Sequence, residues 1–131
     1  MAGLKLDGAG IAKMKTLDEA ILLLQRVHGQ VENYAMAVRS STPTGPFLFS
    51  IRRTLPTLAE ILKGQFGLIA DLVSTVNLTA SRGASEGVRV RVLREGVGHI
   101  KQAIDIAVAQ TKDKHAAKGD SKPPSGSPDA T

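Results

Sequence analysis

The chain has 131 residues, enough to bury one core and too few for two domains. It has no cysteine, which excludes disulfides, thiolate metal sites and a cysteine nucleophile, and only 3% of its residues are aromatic against 42% hydrophobic, so the core must be aliphatic, as helix-on-helix packing allows. A formal charge of +5 permits attraction to nucleic acid or anionic lipid without deciding for either.

Residues 1–15 mix glycine, lysine and a few aliphatics and read as a flexible N-terminal arm, with a short turn near Ile11 to Lys15. Glycines and Asp7 interrupt the apolar stretch that a secretory signal needs, which, with the missing cysteines, points to a cytoplasmic protein. A capping-box spacing at Thr16 and Glu19 predicts the start of the first helix. Leu17, Ile21, Leu24, His28, Val31, Ala35 and Val38 follow at spacings of four and three, with Ala20, Val27 and Tyr34 widening the stripe. The prolines and glycine of Ser40 to Pro46 end it.

A second helical stripe runs Phe47, Leu48, Ile51, Leu55, Leu58, Leu62, Phe66, Ile69, Val73 and Val76, with an extra spacing of four between Leu62 and Phe66. Pro56 interrupts it. Either this helix is kinked there or a short extra helix at 47–54 precedes a new start, for which Thr57 and Glu60 repeat the capping-box spacing; the break is preferred. Gly83 suits a left-handed C-terminal position. The apolar run from Phe66 to Val76 holds Asp71 and Ser74 and is shorter than the roughly 20 residues that cross a bilayer, so no transmembrane segment is expected.

A third helix is expected from near Ser85, with the seam Val90, Leu93, Val97, Ile100, Ile104 and Ala107. Val88 to Val92 alternates like a strand, but the helical seam runs through it and no partner strand is evident. From 116 to 131 the Lys, Pro, Ser and Gly composition predicts a disordered tail. The expected fold is therefore all-α, an antiparallel up-down-up three-helix bundle over 16–115, with the first and third helices parallel.

Three functional readings follow. Leu22, Leu23 and Met36 on the first helix, and Ile61, Leu68 and Leu72 on the second, lie off the seams and exceed what a three-helix monomer hides. That surface points first to a non-enzymatic bundle acting by protein contact, as a homo-oligomer or an accessory subunit. The alternative is a nucleic-acid-associated protein using Arg82, Arg89, Arg91 and Arg94, near the start of the last helix, together with basic termini. Arg39, Arg52, Arg53 and the lysines from Lys112 onward are expected at the opposite end. Third is a haem- or metal-binding bundle, for which His28 and His99 lie at similar depths on helices expected to be parallel. Their phases oppose it, His28 falling on the seam and His99 off it. His28 with Glu32 and Glu95 with His99 have the wrong spacing for a di-iron site, and no phosphate-loop pattern accompanies Gly64, Gly67, Gly96 and Gly98. No catalytic residue, metal ligand or cofactor is assigned, and no small-molecule substrate is evident.

Overall fold

The computed structural model describes residues 6–83 and 85–115. The expected tail at 116–131 and the first residues of the expected arm lie outside them. The described residues form four helices, α1 (Gly8–Arg39), α2 (Gly45–Lys63), α3 (Gly67–Ser81) and α4 (Glu86–Lys114). The bundle therefore has four helices and not three.

The difference arises at the second stripe. Pro56 does not break it: the proline sits inside α2. Pro56 lies on the exposed side of the helix with Arg52, and the buried stripe Ile51, Leu55, Leu58 and Leu62 runs past it. The chain turns instead at Gly64-Gln65-Phe66. The backbone N–H groups of Gln65 and Phe66 both donate to the Leu62 carbonyl, at 3.3 and 2.7 Å, and Phe66 leaves helical geometry at φ −135° and ψ 61°. Gly64 and Gly67 bracket the turn with the weakest helix formers after proline. The stripe looks continuous across it because Phe66 is half-buried against the core.

The first helix also begins earlier than the Thr16 signal. Asp7 caps it by accepting the Gly10 N–H at 2.7 Å, and the Asp7 N–H donates to the His115 carbonyl at 2.9 Å. Thr16 is then interior to α1, where its hydroxyl accepts from the Gln65 amide. A capping-box spacing is also the spacing of neighbours on any helix surface, which is why Thr16/Glu19 and Thr57/Glu60 mislead. At its other end α1 closes in a Schellman motif: Thr42 N–H donates to the Ala37 carbonyl at 3.0 Å and Ser41 N–H to that of Val38 at 3.3 Å. Ser41 carries the left-handed φ of 57°, whereas Gly83, expected to be left-handed, has a negative φ.

Helix α1 packs against α2 and α4, and α3 packs against the same two, so the helices stand at the corners of a square. Gln30 meets Thr54, Val76 meets Gly96, and Tyr34 meets Arg89, which makes successive helices antiparallel in an up-down-up-down order. Leu17, Val27, Val31 and Tyr34 of α1, the α2 stripe, Val73 of α3, and Leu93, Ile100 and Ile104 of α4 fill the centre. The Val88–Val92 segment is helical, as its seam predicts. No helix among the described residues is long and apolar enough to cross a membrane.

Unequal lengths shape one end. At 1.5 Å per residue α1 and α4 are about 48 and 43 Å long, against about 28 and 22 Å for α2 and α3. Because Gln65 reaches Thr16, the α2–α3 turn lies level with the third turn of α1. The first turns of α1 and the last of α4 overhang it as a two-helix pair, closed by Asp7 and His115. Gly10 is buried there because its backbone meets His115, whose Cβ would lie 2.5 Å from a Cβ at residue 10.

Candidate functional site

The six off-seam apolar residues divide in two. Leu22, Met36 and Leu68 are exposed, at 67%, 57% and 86%. Leu23, Ile61 and Leu72 are half-buried, and Leu23 and Leu72 pack on the core. Part of the apparent excess is thus covered, and the three exposed side chains are spread over two helices: Leu22 and Met36 lie along α1, and Leu68 lies in the first turn of α3.

Leu68 has neighbours that sequence reasoning missed. The overhang and the α2–α3 turn bound a notch of about 330 Å³, whose apolar wall includes Phe66, Leu68, Ile69, Ala103 and Ile106. Ile106 is 52% exposed. It falls outside the α4 seam, the only signal it carries, and nothing in the chain text pairs it with Leu68. Lys13, Lys114 and His115 edge the notch on the overhang side. There the His115 ring is held between Asp7, 3.2 Å from Nδ1, and Lys13 Nζ, 3.1 Å from Nε2. The Asp7 carboxyl is held below its ordinary range, first by the Gly10 N–H, against the opposing effect of burial, with His115 adding to the lowering.

The four arginines near the start of α4 differ in their surroundings. Arg89 is spent on the fold: Nε donates to the Ala80 carbonyl at 2.7 Å, one terminal nitrogen to the Tyr34 hydroxyl at 3.3 Å and the other to the Arg82 carbonyl at 3.1 Å. It thereby clasps the buried Tyr34 and the end of α3. Arg94 forks onto Glu32 of α1, at 3.0 and 2.7 Å. Arg82 and Arg91 are exposed. The expected opposite basic end is also rearranged. The added reversal at Gly64–Phe66 makes α4 antiparallel to α1, so Arg39 shares an end with Arg82, and the Thr44 hydroxyl reaches across that end to Glu86. Arg52 and Arg53 lie along α2, where Arg53 covers the exposed Phe49 ring at 5.6 Å from its centroid.

The histidines lose their proposed relation for the same reason. His28 and His99 stand on antiparallel helices, and both are exposed. His28 is off the buried stripe, which passes through Ala20, Val27 and Tyr34, the residues that had only widened the sequence pattern. Among the described residues, no three His, Asp or Glu side chains are grouped to hold a metal ion.

No protein-family model, curated protein or solved structure matches this chain. The functional reading therefore rests on the surface itself.

Proposed function

We propose that this chain is a non-enzymatic helical bundle that works by protein contact, and that the Leu68 notch is its contact surface. One observation carries the reading: a leucine left 86% exposed beside the half-exposed Ile106, on the wall of an apolar notch with a polar edge. Leucine in the first turn of a helix gains nothing there from local structure, and its burial by a partner would remove apolar area worth roughly 2 kcal/mol from water. Self-association is the first form of the proposal, because a patch around one protruding side chain and one recess is suited to an isologous pair. A role as an accessory subunit is the second form, with the same residues meeting a different chain.

Light scattering after size exclusion tests this on wild type and Leu68→Glu, a substitution at a site too exposed to unsettle the core. The expected result is a dimer that dissociates in the variant. A wild-type monomer withdraws self-association. If Leu68→Glu and Ile106→Glu then also retain every partner captured by wild type, the notch is not the contact surface.

A further inference from the structure

A groove on a different face, between α1 and α4, has features of a binding site for a small molecule. Its volume is about 500 Å³; half-buried Ile21 stands on its wall, and Leu24 and Val97, each with a small exposed area, form its apolar floor above the buried Val31 and Ile104. The stretch of α1 from Ile21 to Glu32 is about 16 Å long at 1.5 Å per residue, so the space is a channel along the helices. Each end meets an ion pair: Glu32 with Arg94 at one, Asp105 with Lys101 at the other. The exposed His28 stands on the rim between them.

Gly98, like Gly29 in α1, has no packing contact inside the fold that explains a glycine, but Gly98 also lines the groove. A glycine in a helix interior costs up to about 1 kcal/mol relative to alanine. At Gly96 packing accounts for it, because an added Cβ would lie 2.6 Å from Val76 Cγ1. At Gly98 an added Cβ meets nothing within 4 Å, yet the residue lines the groove. Any larger side chain there would project into the space, and glycine keeps it open.

The two ion pairs differ in strength. Arg94 is engaged at both ends of its fork, whereas Lys101 makes a single 3.0 Å contact with Asp105 one helical turn away, with both side chains well exposed. Such pairs contribute little, so an incoming carboxylate competes for Lys101 on near-equal terms. We infer that the groove between α1 and α4 binds a medium-chain aliphatic carboxylate, its head on Lys101 and its alkyl chain running past Gly98 over Leu24 and Val97. The alkyl chain matches the apolar lining and the length, and the head matches the one cation on the rim that is loosely held.

Calorimetric titration of the full chain with a series of fatty carboxylates around decanoate, kept below their aggregation limits, tests the inference. Saturable one-to-one binding is expected, tightening about fourfold for each added methylene until the groove is filled and then levelling off. Lys101→Gln should weaken decanoate about tenfold or more, by loss of a charged hydrogen bond, without altering decanol. Gly98→Leu should abolish binding while helix content is kept. In the unaltered protein the Ile21 and Val97 methyl resonances should shift with added decanoate. Absence of saturable binding overturns the inference. So does decanol binding as tightly as decanoate, undiminished binding by a folded Gly98→Leu protein, or resonance shifts confined to other parts of the bundle.

Discussion

Gly96 and Gly98 are two places apart on α4 and have opposite surroundings, which gives a test at the level of single atoms. Alanine at residue 96 would drive its methyl against both Val76 methyl groups, at 2.6 and 2.7 Å, and a branched side chain at the α3–α4 seam has little room to yield. Gly96→Ala is expected to lower stability by about 1 to 3 kcal/mol in denaturant titration, and Val76→Ala in the same chain should recover part of that loss. Gly98→Ala should instead raise stability by up to about 1 kcal/mol, since only helix propensity changes. Equal effects at both sites would contradict the packing described. The sequence does mark these glycines as needing compensation, but not which one has it, because what faces an α4 residue depends on where α3 runs. Arg89 illustrates the same limit. In the text it belongs with Arg82, Arg91 and Arg94, and only the fold shows its guanidinium turned onto Tyr34 and two carbonyls.

Among the helices, α2 carries the sharpest test. Because Pro56 is interior to α2 and has no N–H to give the Arg52 carbonyl, Pro56→Ala supplies that helical hydrogen bond and removes the ring that crowds the preceding turn. A gain of up to about 3 kcal/mol is expected, seen as a higher unfolding midpoint; no gain would favour a chain break at the proline. The α1–α4 pairing has a pH signature. Hydrogen bonds from Arg94 hold the Glu32 carboxyl below its ordinary range, against a smaller opposing effect of burial, with the charges of Arg94, His28 and Arg39 adding to the lowering. The folded state therefore binds that proton less readily than the unfolded chain. The contribution is present above the ordinary glutamate range and is lost as pH falls through the lowered folded value. Denaturation midpoints over this acid range should fall less steeply for Glu32→Gln than for wild type, and identical slopes would remove the pair from the acid response. Most of the element content is legible in the sequence: the α4 seam, the α2 stripe and the Ser85 start all follow from spacing. The Gly64–Phe66 turn is not, because two apolar stripes on separate helices happen to continue in phase across Phe66.

For the whole molecule, that one unread turn changes more than the helix count. It reverses α4, joins α1 and α4 as antiparallel neighbours, brings Arg39 to the Arg82 end and creates the groove beside Gly98. Expectations about composition and periodicity survive such an error, whereas expectations about which residues meet do not, since direction alternates with every added helix. The same geometry leaves the first turns of α1 and the last turns of α4 without cover from α2 and α3. Amide hydrogen exchange should separate this overhang from the rest. Protons at residues 12–15 and 108–114 are expected to exchange through a local opening with low denaturant sensitivity, while those near Val27, Leu58 and Ile100 wait for global unfolding. Uniform protection along α1 would show the two parts to be one cooperative unit. If they separate, the Leu68 notch has one wall that stays fixed with the four-helix body and another that opens with the overhang, so the recess at that end has a lifetime as well as a shape.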